Sequence, residues 1–417
     1  MHLKTIINYC CNFNGFVIKN SSFDKKKKWI DVQIRAQKNH QGRCSICHQK
    51  GATYDHLPSR KFEFIPIWGY AVYFNYAMRR INCPTCGVKV ESVPWASGKN
   101  HLTYHYASFL ASFAKEMSWS KVSDRFNTSW QTVHRAVQSV VAFGLANRKL
   151  DQVTAIGVDE VHYGKKLKYI TMVYQINKGS RRLLWIGKKR TKKTLRKFFA
   201  DMWKFDRKFR KRLEVVCTDM WQAYVSVVAE KTTAINVLDR FHIMQKMGDA
   251  IDKVRNAEVK RLKAEGKDPI LTKTKWCFLK RKFNLTKSQK GKLNGLVELN
   301  LTTMKAYILK ELFHKFWEYN STTWAAKFLK NWCELVRESE IGPMIKVGEM
   351  LEKREELILN YFRAKKEYNS GIVEGMNRKV NLTTRKAFGY RSYDILETAL
   401  FHQLGELPER QFDHKFW

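Results

Sequence analysis

The chain of 417 residues is 44% hydrophobic and carries 77 Lys+Arg against 38 Asp+Glu, a formal net charge of +39. Such a length and apolar content fill two or three domain cores, which excludes a disordered polycation, and such a charge directs the surface to a polyanion. No apolar run of eighteen residues occurs, so no transmembrane helix is expected, and nine cysteines, an odd number, argue for reduced thiols and metal binding over disulfides.

The first segment, MHLKTIINYCCNFNGF, has an apolar stretch broken by Asn8, Asn12 and Asn14 and reads as a poor secretory signal, so the expected compartment is the cytosol. Basic residues run along the whole chain, from Lys25–Lys28 to Arg385, Lys386 and Arg391; a lysine-rich genome is the bland alternative cause. Two CxxC pairs follow, Cys44/Cys47 and Cys83/Cys86, separated by FEFIPIWGYAVYFNYAMRR, whose large apolar residues alternate as in strands. Two knuckles on a short sheet present four thiolates to a structural zinc, the alternative being buried or redox thiols. Adjacent Cys10 and Cys11 cannot chelate one ion, and Cys217, Cys277 and Cys333 read as core.

After PWASGKNH the period becomes helical. ASFLASFAKEM, SWSKVSDRF and TSWQTVHRAVQSVV predict three helices, with Ser120 and Ser129 as caps and Val122, Phe126, Val133, Val137 and Val140 as one buried stripe. The pattern fits a helix-turn-helix whose second helix turns Gln131, His134, Arg135 and Gln138 toward phosphates and base edges, or else a plain helical bundle.

From Val153 the strand period returns: TAIGVDEVHY, KYITMVYQIN and RRLLWIGKK, then a helix in TLRKFFADMWKF, a strand in LEVVCTDM, a short helix from Tyr224 to Glu230 and a strand in TAINVLD. A three-strand meander followed by alternating helix and strand is the order of a ribonuclease-H-like fold. Residues 178–212 contain sixteen Lys/Arg, enough to line a DNA-facing edge. Beyond Phe241 the chain reads as helical to about Tyr361, an insertion whose stretch 253–292 contains fourteen Lys/Arg.

Three acids stand at the ends of these elements: Asp159 in AIGVDE, Asp219 in EVVCTDM and Glu374 in SGIVEGMN. Moving a phosphodiester bond needs an activated oxygen nucleophile, a stabilised leaving oxygen and charge compensation at phosphorus, and two magnesium ions held by such carboxylates supply all three. In a ribonuclease-H-like sheet the first and fourth strands are neighbours, which brings Asp159 and Asp219 together; Glu374 then comes from a helix capped near Asn369 or Ser370. Each acid also has a plainer role. Spacing does not decide between Asp159 and Glu160, Asp219 could cap the next helix, and Glu374 could pair with Arg378 at i,i+4. On the helix of Glu374, Asn377 and Arg378 would reach adjacent phosphates, and Lys379, Arg385, Lys386 and Arg391 extend a positive track.

The order of double CxxC, helix-turn-helix, GVDE strand, CTDM strand, VLDRFHIM and NSGIVEGMNRKVNLTTRKAFGYRSYD closely resembles the insertion-sequence transposases of the ISL-three type over nearly the whole chain. The resemblance implies that Asp159, Asp219 and Glu374 form the acidic triad of a DDE enzyme that cuts at terminal inverted repeats and joins the freed 3′ ends to target DNA. It implies that Asp239 and His242 are the D-x-x-H pair of insertion-bearing transposases, which either assists the metal site or DNA end or fixes the first helix of the insertion.

The expected protein is α/β and multi-domain. A zinc-binding module over 1–98 and a helix-turn-helix over 99–150 precede a ribonuclease-H-like core over 151–243 and 362–404, interrupted by a large α-helical insertion over 244–361. Expected cofactors are two Mg2+ and one structural Zn2+, and expected partners are double-stranded DNA and a second copy in the active complex, in a bacterial cytoplasm at the nucleoid. The rival readings are a DNA-binding regulator with an inactive core and a metal-dependent nuclease without strand transfer.

Overall fold

The computed structural model describes residues 3–163, 169–280, 282–297, 299, 301–368, 370–387, 389–390 and 392–412. The chain divides into two compact units, one of Met1–Arg148 with Val380–Trp417 and one of Lys149–Lys379.

The first unit opens with helix α1 (Leu3–Cys10) and strands β1 (Phe16–Asp24), β2 (Trp29–Ala36), β3 (Gly42–Arg43), β4 (Lys50–Ile67), β5 (Tyr70–Cys83) and β6 (Gly87–Val90). They form one sheet in the order β1-β2-β5-β4-β3, with β6 also on β5; β2 and β5 run parallel and the other pairs antiparallel. The alternating apolar segment becomes the long β4–β5 hairpin, whose inward residues Phe62, Phe64, Val72 and Phe74 build a core with Phe16, Val32 and Trp95. Trp95 is fully buried, with the rings of Phe13, Phe16, Phe62 and Tyr76 around it.

Three helices follow, α2 (Tyr104–Glu116), α3 (Trp119–Arg125) and α4 (Trp130–Asn147). Thr103, Ser118 and Ser129 cap them through side-chain oxygens. Ser120, expected as a cap, instead lies in the first turn of α3, because buried Trp119 starts that helix and leaves Ser118 at its edge. Val122, Val133 and Val137 are buried as expected; Phe126 and Val140 are half-buried, and Val141 takes the inward place.

In the second unit the meander β7 (Ala155–His162), β8 (Tyr169–Gln175) and β9 (Leu183–Lys188) leads through α5 (Lys192–Phe205) and α6 (Phe209–Arg212) to β10 (Val215–Thr218), then through α7 (Gln222–Lys231) to β11 (Ile235–Leu238). The sheet order is β11-β10-β7-β8-β9, and both β10–β7 and β10–β11 are parallel. One face packs on α5 and α7 through Leu195, Phe198, Phe199, Tyr224 and Val227. Parallel strands covered on both faces need continuous apolar runs, which AIGV and VVC provide.

Helices α8 (Arg240–Ala264), α9 (Lys275–Leu279), α10 (Lys287–Val297), α11 (Thr302–His314), α12 (Thr322–Glu338), α13 (Gly342–Glu352) and α14 (Glu355–Arg363) form the insertion. It returns to the sheet where α14 meets β11, and Asn360 Nδ2 donates to the Asn236 carbonyl at 2.9 Å. Inside it, buried Glu258 accepts from the backbone N–H groups of Thr302 at 2.9 Å and Thr303 at 2.8 Å and from the Thr303 hydroxyl at 2.6 Å. A carboxylate on α8 therefore caps α11, whose own N-cap, Leu301, has no side-chain acceptor. Glu258→Ala leaves these donors buried without an acceptor and is expected to lower stability by about 3 kcal/mol, read from urea unfolding. An unchanged midpoint would show that Glu258 contributes nothing to the insertion.

Helix α15 (Ser370–Lys386) runs through the division between the units, and α16 (Tyr393–Leu404) packs on α4. The expected boundaries differ accordingly. Residues 1–98 and 99–150 share one unit up to Arg148, and the expected core segment 362–404 leaves the second unit at Val380. The reason is the burial of Leu396, Ala399, Leu400 and Leu404 in the first unit, and the chain beyond α16 presses on α4 so closely that a Cβ at Gly144 would stand 2.5 Å from Leu407. The expected cap of α15 at Asn369 or Ser370 lies outside the residues and side chains described.

Candidate active site and metal centre

The two CxxC pairs meet. Cys44 and Cys47 follow β3, Cys83 ends β5 and Cys86 precedes β6, and β4 against β5 closes the gap in sequence. All four Sγ atoms lie within 4.8 Å of one another, and Cys47 and Cys83 are 3.4 Å apart. Tetrahedral zinc with bonds of about 2.3 Å sets its sulfurs about 3.8 Å apart, so the donor set fits that ion. Backbone N–H groups of Cys47 and Ile46 hold the Cys44 thiol down to about 7. Cys10 is half-buried, and Cys11, Cys217, Cys277 and Cys333 are buried.

In the second unit the second half of β7, the turn after β10, the start of α8 and α15 line a cavity of about 580 Å³. Asp159, Asp219, Asp239, His242 and Glu374 all line it, and so does Glu160. Asp159 and Asp219 share it because β7 and β10 pair in parallel with Cys217 opposite Gly157, so Asp219, just past the end of β10, comes level with Asp159. Asp159, expected at the end of its strand, lies inside β7, which continues to His162 against β8. α15 reaches the sheet at Gly157, where an added Cβ would stand 2.4 Å from Val373, so only glycine lets this helix approach the first strand.

Asp159 is held from two sides. The Glu160 N–H donates to its Oδ1 at 2.8 Å and Asn377 Nδ2 to its Oδ2 at 2.6 Å, while the Tyr174 hydroxyl donates to Asn377 Oδ1 at 2.7 Å. Burial raises the pKa of Asp159 from its ordinary value, against those donors. Glu160 does not leave for the opposite face. It pairs with Arg190 beyond β9, yet burial, with Asp219 nearby, pushes its carboxyl up to about 8. Arg190 also donates to Asp219 Oδ2 at 3.0 Å and lies 4.4 Å over the Trp221 ring.

Asp219 realises its plainer role too, because its Oδ1 accepts from the Trp221 N–H at 2.9 Å in the turn before α7. Asp239 caps α8 through Oδ1, and its Oδ2 binds His242 Nδ1 at 2.7 Å. That bond is the main reason the His242 pKa is raised, with burial opposing it. Glu374 pairs with Arg378 at 2.7 Å, its side chain half exposed. Among the described residues these acids and His242 do not form a group of three that could hold one metal ion as they stand, so they line the cavity without a closed ligand shell. As hard oxygen donors on one wall they fit divalent magnesium in kind, and Arg190 supplies a cation there.

Of the residues expected on DNA, Gln131, Arg135 and Gln138 form an exposed stripe on α4, and Lys379 and Arg385 are exposed on α15. His134 is not with them: its ring lies 5.4 Å from those of both Trp119 and Trp130, half-buried, and burial lowers its pKa. Asn377 faces Asp159 where a phosphate contact was expected, and Arg378 faces Glu374. Lys386 leaves the expected track, half-buried and donating to the Lys115 carbonyl at 2.6 Å. Arg391 lies outside the described residues. Sequence reasoning missed Arg190, Tyr174 and Trp221. Arg190 is one of sixteen basic residues in 178–212, and nothing in a charge run marks the member that turns inward.

The chain matches the ISL3-type DDE family, described as "Transposase", over residues 156–400, more than half its length. It belongs to this transposase family. The transposase is 26% identical over 356 residues to the transposase of insertion sequence element IS1001 of Bordetella parapertussis, covering 84% of this chain and 86% of that one. It is also 26% identical over 388 residues to that of IS1557 of Mycobacterium tuberculosis, covering 85% and 84%. Among solved structures, the Drosophila P element transposase strand transfer complex aligns at TM-score 0.38 and 10% identity over 72% of this chain and 92% of that one. Among its described residues no helix is long and apolar enough to cross a membrane.

Proposed function

We propose that this transposase is a DDE enzyme that binds the terminal inverted repeats of its element, cuts their 3′ ends and joins them to target DNA, with Asp159, Asp219 and Glu374 as its triad. The observation that carries the reading is that these three acids, far apart in sequence, line one cavity beside two paired parallel strands, in a chain of net charge +39. The strand order β11-β10-β7-β8-β9 supports a ribonuclease-H-like core, and the capped pair α3–α4 with its Gln131, Arg135 and Gln138 stripe supports a helix-turn-helix that reads the repeat. The clustered thiols of Cys44, Cys47, Cys83 and Cys86 would hold a structural zinc.

Bound to Asp159, Asp219 and Glu374, two magnesium ions would supply an activated oxygen nucleophile and charge compensation at phosphorus. The protein's own groups prepare this. Asn377, fixed by Tyr174, and the Glu160 N–H orient the Asp159 carboxylate, and the Trp221 N–H orients Asp219. The His242–Asp239 pair sets a second polar wall. In the first step the water oxygen bonds to phosphorus as the P–O3′ bond at the element's end breaks, which leaves a 5′ phosphate on the flank and, after the 3′ oxygen takes a proton, a 3′ hydroxyl on the element. In the second that hydroxyl attacks a target phosphodiester, so one P–O bond forms as one breaks and no external energy source is needed. Two ends acting together call for a homodimer, and a DNA substrate places the protein at the bacterial nucleoid, in the cytoplasm.

The test is purified protein with magnesium and a labelled pair of element ends, comparing wild type with Asp219→Ala for cut and joined product. Cutting and joining by wild type only, with binding by both, is the expected result. Cutting without joining would replace the reading by a nuclease, and binding by both without cutting by a regulator.

A further inference from the structure

The sheet of the first unit ends in two adjacent turns that the proposed chemistry leaves unused. A four-residue turn, Lys25–Lys28, joins β1 to β2 and is closed by the Asp24–Trp29 pair; a two-residue turn, Trp68-Gly69, joins β4 to β5 and is closed by Ile67–Tyr70. Because β2 and β5 run parallel with Trp29 opposite Ala71, the residues just before each, Lys28 and Tyr70, stand at the same end of the sheet. The rings of Phe23 and Tyr70, 5.0 Å apart, tie the two turns together.

All four lysines are exposed and none has an ion-pair partner among the described residues: Asp24 Oδ1 accepts the N–H groups of Lys26 at 3.0 Å and Lys27 at 2.9 Å and so shapes the turn, and Lys27 Nζ lies 4.7 Å over the Trp29 ring. Asp31, the next acid on β2, is engaged by Trp29 Nε1, Asn75 and Lys61. Trp68 beside them is 81% exposed and has no ring or cation partner among the described residues. Its backbone is left-handed, φ 52° for Trp68 and 81° for Gly69, as a tight hairpin turn with two positive φ angles demands. Asn, Asp or Gly suits the first position of such a turn; tryptophan is disfavoured there because its Cβ crowds the backbone. A large aromatic held in water, in a disfavoured conformation, at the tip of a hairpin and at the same end of the sheet as four exposed ammonium groups is poorly explained by folding and well explained by a ligand.

Resting on the proposed function, we propose that this tip is a DNA contact in which Lys25–Lys28 bind the phosphates of a strand and Trp68 stacks on an unpaired base of that strand. An indole face accepts any base, and a base outside the helical stack is the kind presented by a frayed or cut end. Lysines on one turn follow one backbone, which favours a nucleic acid over an anionic bilayer as the occupant.

The full-length protein is titrated in EDTA with a labelled duplex bearing a single-stranded flap, with the same duplex fully paired, and with phosphatidylserine vesicles. Trp68→Ala is expected to weaken flap binding roughly 5- to 150-fold, leave paired-duplex binding nearly unchanged, and be rescued by Trp68→Tyr. Changing Lys25, Lys26, Lys27 and Lys28 together to Gln is expected to lower the slope of log affinity against log salt on the flap by about 3. Equal flap affinity of wild type and Trp68→Ala, or a loss confined to vesicles, overturns the inference. Because EDTA removes cleavage from the assay, wild type binding neither DNA would instead count against the proposed function itself.

Discussion

Cys83→Ser, or prolonged chelation, is expected to release one zinc per chain and unfold the knuckle end of the first unit while the rest of its sheet persists. The magnitudes decide this. Structural zinc contributes about 10–16 kcal/mol to small zinc domains, whereas the local apolar cluster around the thiols consists of Cys44, Ile81 and Cys83 with Cys47 and Cys86 at its edge. Three buried residues cannot hold two turns closed. The cluster around Trp95 spans α1, β1, β2, β4 and β5 and does not depend on the thiols. Hydrogen exchange should therefore show fast amides over β3, residues 44–49 and β6 in the variant, with β2 and the middle of β5 still protected. Metal analysis counts the zinc. A wild type without zinc and a variant with unchanged exchange would return the four cysteines to plain core.

Asp159→Asn is expected to lower cleavage by on the order of 10³-fold, about 4 kcal/mol of transition-state stabilisation, with binding of the ends unchanged. The change removes the carboxylate and sets a second amide against the Asn377 amide, which donates to Asp159 Oδ2 in the wild type. Asn377→Ala keeps the charge but loses its orientation, and a loss of about 10- to 100-fold is expected. Single-turnover cleavage separates these effects from binding. Glu160→Gln is the decisive comparison, since both acids line the cavity and Glu160 also pairs with Arg190. Full activity of Asp159→Asn with loss in Glu160→Gln would transfer the metal-ligating role to Glu160.

How far the sequence led follows from which interactions are local. Strand and helix periods, serine caps and CxxC spacing are encoded within a few residues, and the elements they predict stand where expected, from β7–β9 to the helical insertion. The position of Asp219 just past its strand is equally local, and the pairing of β7 with β10 follows from strand order, whereas Asp159, expected at a strand end, lies inside β7 because that strand continues against β8 to His162. Side-chain direction beyond the element is not local. His134 sits on the face of α4 that the period leaves open, yet Trp119 and Trp130 on either side of its ring turn it into packing. Asn377 leaves the phosphate track because Val373, one turn earlier, fits over Gly157 and brings the amide to Asp159.

By itself, then, the sequence determined the set of elements, the four thiols, the three acids and a surface made for a polyanion, because periodicity, spacing and composition are properties of the chain. Tertiary structure decided that Arg190 enters the acidic cavity, that Asn377 serves Asp159, and that the chain from Val380 onward, with α16 against α4, joins the amino-terminal unit. Each of these depends on which surfaces meet after folding, where burial makes one charge partner or one packed helix face worth more than the others, and no local pattern records that choice.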